Sequence, residues 1–441
     1  MARNVKKSEE NIYEYKEKLS AAVLIISVFA AALAGCGGAK PAEEAAAPTA
    51  AKQEEMTAEN KEGTGGKIVF AYWGAESENN AIQTAVNAFR ASHPEIEVET
   101  QWIESDYLTK VQTQIAGETT ADVYLISAGD LPGFASNFDT QTVDASKYLS
   151  ENVIEALQSE GELKARPFII KPKVMAVNKD LLKAGGVEMP ALDTPMTVDE
   201  FKTAIAALSD PNADPQRFGS ESPWMGNLIY AFGGSYYKNN GTESNLDSQE
   251  VIAAADFVID AREKGYVPDS IQAQGQSMMD WFLSGRIVFY TDFGPWYIPQ
   301  MEEVSFDWEL LPYFGNGGNK EVDGLAICSA SNNKEAAEVF VTYMCEDESA
   351  QKAIGGDSSA YGVPVNAEAV TAFENIYPEK NMYAYVYAAY NQTPQETQKR
   401  TNEISSVMSR VDDETGVGTG TDKPEDVFPD IAAEINEILQ Q

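Results

Sequence analysis

The stretch that decides the fold begins with Lys67-Ile-Val-Phe-Ala-Tyr-Trp73, a run apolar on both faces, as expected of a central parallel strand. Four apolar residues at helical spacing follow it, namely Ile82, Ala85, Val86 and Phe89. A second strand is predicted from alternation at Ile96, Val98, Thr100 and Trp102. A helix near 106–117 then leads to a third strand, Asp122-Val-Tyr-Leu-Ile-Ser127. This β-α-β-α-β order predicts an open α/β sheet.

The same alternation of strands and helices continues along the chain. A strand is predicted at 173–178, and the capping box Thr197-Val-Asp-Glu200 starts a helix. The later elements are predicted as a helix at 249–264, strands at 286–291 and 322–328, a helix carrying Ala337, Phe340, Val341 and Met344, and a last helix near 427–439. We therefore predict two lobes, each an open, mostly parallel sheet flanked by helices.

The amino-terminal region differs from the rest of the chain in composition. Cationic residues precede an apolar run from Ala21 to Ala34. This run is too short to cross ~30 Å of hydrocarbon as a permanent helix, and it ends in small residues. It closes with Leu33-Ala34-Gly35-Cys36, which resembles a bacterial lipobox. The resemblance implies a signal peptide over residues 1–35 and a diacylated Cys36 as the mature amino terminus.

Composition also bounds the partners of the chain. Residues 36–66 contain almost no large apolar group after Cys36, so they are predicted to form a flexible tether. Residues 67–441 are enough for two lobes of ordinary domain size. The formal charge of the chain is -37, and no basic patch is visible. Such a field repels nucleic acid and anionic lipid, so neither is predicted as a binding partner.

Motifs for catalysis and for metal binding are missing from the sequence. The one histidine, His93, lies before Pro94 in a predicted loop, so we expect it at the surface rather than in a catalytic triad. Residues 210–221 space oxygen-bearing side chains as in a calcium loop, but Pro215 stands where that loop needs glycine. The glycines at 416–420 follow no predicted strand and indicate a plain loop. We predict neither a metal nor a cofactor.

Two cysteines other than Cys36 occur in the chain. Cys328 ends a predicted strand, and Cys345 lies well inside the helix that follows. At ~1.5 Å per residue, that helix carries Cys345 ~18 Å from the turn, which is beyond the reach of a disulfide. We expect both to be small buried hydrophobic residues.

Aromatic residues stand where chain geometry predicts a cleft. In open α/β sheets, ligands bind beyond the carboxyl ends of the strands. Trp73 ends the first strand beside Gly74, Asp130 follows the third strand beside a glycine, and Trp296 follows a later strand through Gly294-Pro295. Sugars stack their C–H faces on aromatic rings while polar side chains bind the hydroxyl groups. The pattern therefore indicates a cleft for a carbohydrate.

Three stretches carry a resemblance to a known family. They are Val177-Asn-Lys-Asp-Leu-Leu-Lys-Ala-Gly185 with Thr197-Val-Asp-Glu-Phe201, Phe282-Leu-Ser-Gly-Arg-Ile-Val-Phe-Tyr290 with Gly294-Pro-Trp296, and Gly324-Leu-Ala-Ile-Cys-Ser329 with Asn333-Lys-Glu-Ala-Ala337. In this order after a lipobox, they make residues 67–441 resemble the extracellular solute-binding proteins (family 1) of ABC importers, the group that includes maltose-binding protein.

The resemblance implies a two-lobed, periplasmic-binding-protein-like fold of type II, with hinge strands that cross between the lobes and allow closure on a ligand. Carried over position by position, it implies ligand contacts at Trp73, Gly74, Asp130, Lys171, Trp224, Trp296, Tyr361 and Arg400. Two of these depart from the family pattern. Lys171 stands near the hinge where maltose-binding protein has an acid, and Arg400 stands where another stacking aromatic is expected. These cations fit a uronate or other anionic sugar, or a shift of the alignment by a few residues.

The resemblance also implies a division into segments and a set of partners. The first lobe is expected to comprise residues 67–170 and 319–372, and the second lobe residues 171–318 and 373–441. The expected protein is a monomer that delivers a mono- or oligosaccharide to an ABC permease. It is held by Cys36 on the outer face of the cytoplasmic membrane, in an extracellular or periplasmic setting. A lipid-anchored glycoside hydrolase, with two carboxylates across the cleft, and an adhesin are the alternatives.

Overall fold

Residues 66–239, 241–355, 361–396 and 400–441 are described by a computed structural model. The predicted signal peptide, Cys36 and the tether up to residue 65 lie outside the described residues. Gly66, which was predicted as the end of the tether, is already the first residue of a strand.

The strands of the described residues include each predicted strand and several that the sequence did not predict. They are β1 (Gly66–Tyr72), β2 (Ile96–Trp102), β3 (Val123–Ser127), β4 (Gln158–Ser159), β5 (Glu162–Leu163), β6 (Arg166–Pro172), β7 (Val174–Asn178), β8 (Phe218–Ser220), β9 (Tyr237–Lys238), β10 (Glu243–Ser244), β11 (Ile287–Phe293), β12 (Trp308–Leu311), β13 (Asn319–Ile327), β14 (Val363–Pro364) and β15 (Thr393–Pro394).

The helices alternate with these strands and cover them. They are α1 (Glu76–Ser92), α2 (Tyr107–Ala116), α3 (Leu131–Phe134), α4 (Glu151–Glu155), α5 (Lys179–Ala184), α6 (Val198–Leu208), α7 (Met225–Ala231), α8 (Gln249–Glu263), α9 (Ser270–Ala273), α10 (Met278–Leu283), α11 (Lys334–Glu346), α12 (Glu348–Gly355), α13 (Val370–Glu374), α14 (Tyr383–Asn391), α15 (Thr401–Glu414) and α16 (Pro424–Leu439). Short 3-10 turns lie at Ala135–Asn137, Ala145–Lys147 and Pro295–Glu303.

Two sheets organise the described part of the chain. The first has the strand order β14-β6-β13-β3-β1-β2, with β15 added beside β13, and the second has the order β12-β7-β11-β8. The capping box of α6 forms as predicted, since the Thr197 hydroxyl accepts the Glu200 N–H while the Glu200 carboxylate accepts the Thr197 N–H. The α/β class is confirmed.

The expectation of mostly parallel sheets is wrong. Strands β2, β1 and β3 are parallel, but β13 runs antiparallel to both β3 and β6, and β7 runs antiparallel to both β11 and β12. The reason is topological. Strands β6 and β7 are consecutive in the chain, and the chain continues through them from one sheet into the other. Neighbouring parallel strands of one sheet are instead joined by a crossover connection, usually a helix, which β6 and β7 lack.

Strand β6 itself was missed by the sequence patterns. It contains Pro167, Pro172, Arg166 and Lys171, which are poor strand signals, yet all of its residues are buried. Its charged side chains are paired, since Arg166 contacts the half-exposed Glu338 at 2.6 Å and Lys171 contacts the buried Asp323 at 2.9 Å.

Apolar clusters on both faces of the sheets hold these elements. One packs Phe70 against Phe89 and Phe340 on the first sheet, and another stacks Phe201 on Phe314, with ring centroids 4.0 Å apart, beside the second sheet. Cys328 and Cys345 are free and buried, as predicted. His93 is partly exposed, with its ring stacked on Phe89 at 4.5 Å. The stretch 210–221, which resembles a calcium loop in its spacing, contains a turn closed by backbone hydrogen bonds between Asp210 and Arg217.

Candidate functional site

The chain passes from the first sheet to the second through a single residue. Lys173 lies between the end of β6 at Pro172 and the start of β7 at Val174. The buried side-chain amide of Gln392 binds Lys173 on both sides. It accepts the Lys173 N–H at 3.3 Å and donates to the Lys173 carbonyl at 2.6 Å. The Gln392 amide thus makes the two hydrogen bonds to Lys173 that a neighbouring strand would otherwise make.

Trp224 lies beside the second sheet at the start of α7. It caps that helix with extended backbone, after the loop Ser222-Pro223. Its indole lies face-on against Gly226, since a Cβ added there would come within 2.4–2.5 Å of three ring carbons. Its other surface is open, because the side chain is 53% exposed. A ring fixed on one face and open on the other is suited to stacking.

A cavity of about 620 Å³ adjoins Trp224. Aromatic residues, apolar residues of α15 and several polar groups line it, among them Tyr230, Tyr236, Tyr237, Arg262, Gln395, Glu396, Ile404 and Met408. An apolar groove of similar volume occurs elsewhere, along residues 187–207, but no aromatic residue lines it. The cavity beside Trp224 therefore has the composition expected of a binding site with oriented polar groups.

Two polar residues of this cavity were not predicted. Arg262 donates to the Ser222 hydroxyl at 2.8 Å and to the Gly416 carbonyl at 3.0 Å, so it supports the loop before Trp224. Glu396 accepts the Tyr230 hydroxyl at 2.9 Å and the Tyr236 N–H at 2.7 Å, and burial raises the pKa of its carboxyl. Neither residue stands in a recognisable motif, because their partners are distant in sequence.

Trp296 follows β11 and is held between two neighbours. One face of its indole lies against Gly294, where an added Cβ would come within 2.3–2.6 Å of ring carbons. The Nζ of Lys173 lies over the same ring system at 4.1 Å from the centroid. Burial lowers the pKa of Lys173 against the opposing effect of Asp292.

The loops that carry Trp224 and Trp296 are joined by Glu221. The carboxylate oxygen Oε1 accepts the Thr291 N–H at 2.7 Å, the Thr291 hydroxyl at 2.5 Å and the Asp292 N–H at 3.2 Å, while Oε2 accepts the Ser220 hydroxyl at 3.0 Å. The residue is 4% exposed, and burial raises its pKa to about 7. The sequence distinguished Glu221 only as the last position of the calcium-like stretch, not as a link between the two loops.

Trp73 and Gly74 follow β1 at the corresponding edge of the first sheet. The half-buried indole of Trp73 packs on Tyr107, with ring centroids 4.9 Å apart. Gly74 has φ +147, and a Cβ there would come within 3.0 Å of the Glu78 side chain, so glycine is required. The Gly74 carbonyl accepts the Trp102 indole N–H at 2.9 Å, which fixes the turn.

Lys171 lies beneath Trp73 in a buried ionic cluster. Its Nζ is 2.9 Å from Asp323 and 3.5 Å from Glu78, and it lies 5.7 Å from the ring centroid of Trp73 and 4.8 Å from that of Tyr361. Burial opposes its charge, but the surrounding carboxylates outweigh burial and raise the pKa of Lys171. Burial raises the pKa of Asp323. Tyr361 is 1% exposed, so its ring is covered in this conformation.

Asp130 and Arg400 occupy different surroundings. Asp130 precedes α3, accepts the Ser127 hydroxyl at 2.6 Å and is half-buried, and burial raises its pKa. The neighbouring Gly129 faces the side chain of Gln395, whose atoms would lie 3.5–3.6 Å from an added Cβ. Arg400 pairs with Glu403 at 3.1 Å on its own helix turn.

The structure thus brings some predicted residues together and separates others. Trp73, Lys171 and Tyr361 form one contact group, and Glu221 links the segments of Trp224 and Trp296. Of the eight predicted ligand contacts, all within the described residues, Trp224 is the one that lines the cavity.

The family profile described as "Bacterial extracellular solute-binding protein" matches residues 84–381, more than half of the chain. The chain belongs to the bacterial extracellular solute-binding proteins. This family consists of binding proteins, so the glycoside hydrolase alternative falls away. No curated protein matches the sequence of this solute-binding protein.

Solved structures share the fold of this solute-binding protein. The ABC substrate-binding protein Lmo0181 from Listeria monocytogenes, solved with cycloalternan, superposes with a TM-score of 0.73 at 23% identity over 85% of this chain and 99% of the other. The sugar-binding protein MalE from Xanthomonas citri gives 0.72 at 19% identity over 85% and 98%. Maltose-bound MalE3 of T. maritima gives 0.68 at 21% identity over 84% and 99%.

Family membership also gives a location outside the cytoplasm, either extracellular or periplasmic. Among the described helices, none combines the length and the apolar character that crossing a membrane requires.

Proposed function

We propose that this solute-binding protein captures an uncharged mono- or oligosaccharide between two lobes and delivers it to the permease of an ABC importer. The open indole face of Trp224 at the mouth of a cavity carries the proposal. Stacking on such a face suits the C–H surface of a sugar ring, and the arginine, glutamate and glutamine side chains that line the cavity suit its hydroxyl groups. The structural neighbours solved with cycloalternan and with maltose agree with this substrate class.

The charge distribution supports an uncharged sugar over a uronate. Lys171, the cation that suggested an acidic ligand, has its charge balanced by Asp323 and Glu78. Arg400 is likewise paired with Glu403. In the cavity, the acidic side chains of Glu396 and Asp412 oppose a carboxylate ligand, and the one cation among the described residues that line it, Arg262, already donates to Ser222 and Gly416.

The proposed ligand contacts are refined accordingly. We keep Trp73, Gly74, Asp130, Trp224 and Trp296 as groups that face the ligand in the closed protein. Lys171 and Tyr361 serve beneath Trp73 and support its ring, because both are buried. We no longer assign Arg400 to the ligand, because its guanidinium group pairs with Glu403 at 3.1 Å on its own helix turn.

Two lobes that rotate about the crossing segments would give this capture its mechanism. The proposed crossings are Lys173, residues 312–318, and the segment that follows β15. The family resemblance places the last boundary between the lobes after residue 372. We now place it after Pro394, because Pro394 still pairs with the first sheet. A ligand that touches both lobes only in the closed state favours that state by its differential affinity.

The membrane anchor completes the proposal. Diacylation of Cys36 would hold the protein at the outer face of the cytoplasmic membrane, because two acyl chains give stable anchoring. The lipobox-like Leu33-Ala34-Gly35-Cys36 supports this step. Radiolabelled palmitate incorporation into the full chain, and its loss in Cys36→Ser, tests the anchor separately from sugar binding.

The substrate class is tested by isothermal calorimetry over a panel of neutral sugars, uronates, amino acids and peptides. We expect a neutral sugar to bind with a Kd in the micromolar range or tighter. Trp224→Ala should weaken that binding at least ~10-fold with little change in Tm, since the ring is largely exposed. Tyr383→Ala removes an aromatic ring of similar exposure, 48%, away from the cavity and is the matched control. Binding of amino acids or peptides in place of sugars would refute the substrate class.

A further inference from the structure

Glu221 is a buried acid that pairs with no cation among the described residues, and its side chain accepts hydrogen bonds from two segments of the second sheet. Its Oε1 receives two main-chain N–H groups and one hydroxyl from Thr291 and Asp292 at the end of β11. Its Oε2 receives the Ser220 hydroxyl at the end of β8. Strands β8 and β11 are parallel neighbours, so Glu221 ties their carboxyl ends together at one point.

Each of the tied segments leads within a few residues to an indole. The segment after β8 runs from Glu221 through Ser222-Pro223 to Trp224, and the segment at the end of β11 runs from Asp292 to Trp296. The carboxylate thus connects the two turns directly by hydrogen bonds, in addition to the strand pairing, which links Phe289 with Ser220.

A second set of bonds anchors the same junction. The Asn227 amide donates to Asp292 at 3.0 Å, and its oxygen accepts the Asn319 N–H at 3.2 Å at the start of β13. On the other side, Arg262 donates to Ser222. Because these bonds hold the flanking residues, loss of the central carboxylate would displace the two indole turns without unfolding the sheet.

We propose that Glu221 is a positioning residue for ligand capture, which fixes the spacing between Trp224 and Trp296 without touching the ligand. A sugar bound by both rings needs their separation to be set before it arrives, since ordering them on binding would cost affinity. The inference rests on the proposed sugar-binding function, but the main measurement that tests it uses the ligand-free protein and does not depend on that function.

The test labels the protein with 5-fluorotryptophan and records fluorine NMR spectra of the ligand-free protein, with Trp224→Phe and Trp296→Phe used for assignment. In Glu221→Ala we expect the Trp224 and Trp296 resonances to shift or broaden, while those of Trp73 and Trp102 on the first sheet stay in place. Glu221→Gln, which keeps an acceptor oxygen, should restore both resonances. Glu309→Ala removes another carboxylate that accepts a main-chain N–H, that of Asn381 at 2.7 Å, and should leave both resonances unmoved.

Affinity provides the second readout. With the sugar found for the wild type, Glu221→Ala should raise Kd at least ~10-fold and Glu221→Gln less than ~3-fold. Where Glu221→Ala fails to fold, Thr291→Val removes the hydroxyl bond alone and should move the same two resonances by less. Unmoved Trp224 and Trp296 resonances in folded Glu221→Ala would overturn the positioning role, whatever sugar binds. Absence of sugar binding in the wild type would overturn the proposed function but leave the fluorine result standing.

Discussion

The Nζ of Lys173 lies 4.1 Å from the ring centroid of Trp296, whose indole also lies against Gly294. The lysine belongs to the crossing between the sheets, whereas the tryptophan belongs to the loop after β11. A ligand that stacks on Trp296 therefore competes with this ammonium group for the ring.

Lys173→Ala is expected to tighten sugar binding. A cation–π contact contributes about 0.5–2 kcal/mol, so its removal from the free protein corresponds to roughly a 2- to 30-fold lower Kd. Lys202→Ala removes a similar contact, with Phe232 at 5.0 Å, and should leave Kd unchanged. Calorimetry with the wild-type ligand measures both. Weaker binding by Lys173→Ala would mean that the ammonium binds the ligand instead of competing with it.

Gly226→Ala should separate affinity from stability. The added Cβ would come within 2.4–2.5 Å of Trp224 ring carbons, so the exposed indole must move and Kd should rise at least ~10-fold. Stability should be unchanged or higher by up to ~1 kcal/mol, because alanine is the better helix former and Gly226 lies within α7. Thermal unfolding and calorimetry check the two effects. Gly133→Ala, where an added Cβ meets nothing within 4 Å, is the control and should bind normally.

The Lys171–Asp323 pair should show strong coupling. Removing one partner leaves the other charge buried, which costs about 3–5 kcal/mol of unfolding free energy. We therefore expect Lys171→Met and Asp323→Asn to be destabilising singly, and the double variant to lose much less than their sum. Urea unfolding of the four proteins gives the coupling energy. Additive losses would contradict the coupling, and a small loss in Asp323→Asn alone would show that Glu78, 3.5 Å from the same ammonium, suffices as its partner.

Stability in alkaline solution should depend on Lys320. This residue is 0% exposed, donates to Asn152 at 3.0 Å and to the Ala389 carbonyl, and burial lowers its pKa from 10.5 to about 8. Between pH 8 and 10.5, the unfolded chain holds the proton that the native protein has lost. The free energy of unfolding attributable to Lys320 therefore rises with pH in that window, by up to about 3 kcal/mol.

The measurement is the difference in unfolding free energy between wild type and Lys320→Met from pH 7 to 10.5. That difference should grow in favour of the wild type as the pH increases. Lys110→Met replaces an exposed lysine and should give a flat difference. A flat difference for Lys320→Met as well would contradict the lowered pKa.

Sequence patterns predicted six of the described strands and six of the described helices, because these elements show a clear local alternation of apolar and polar residues or a capping motif. They placed Trp73 one residue beyond the true end of β1, and they missed β6, whose prolines and cations are tolerated through contacts with β13, β14 and Glu338. Such contacts join parts of the chain far apart in sequence, which a periodic pattern cannot register.

The candidate site could likewise be predicted from the sequence only in part. Glycine next to tryptophan was a visible signal, and the structure gives it a physical basis, because Gly226 and Gly294 provide the flat surfaces on which two indoles lie. The roles of charged residues were not visible. Lys171 was predicted as a ligand contact, and the structure places its ammonium group 2.9 Å from Asp323. Glu221 stood out among 69 acidic residues only as the end of the calcium-like stretch, which gave no sign of its contacts with β11.

The crossing at Lys173 limits how the two sheets can move. With one residue between β6 and β7, and with Pro172 fixing a backbone angle beside it, the sheets cannot slide apart. Under the proposed mechanism, their relative motion is a rotation about Lys173 and the other two crossing segments, and displacement grows with distance from these segments. Chemical groups next to Lys173 would keep nearly constant surroundings during this rotation, whereas groups far from the crossing segments would undergo the largest displacements.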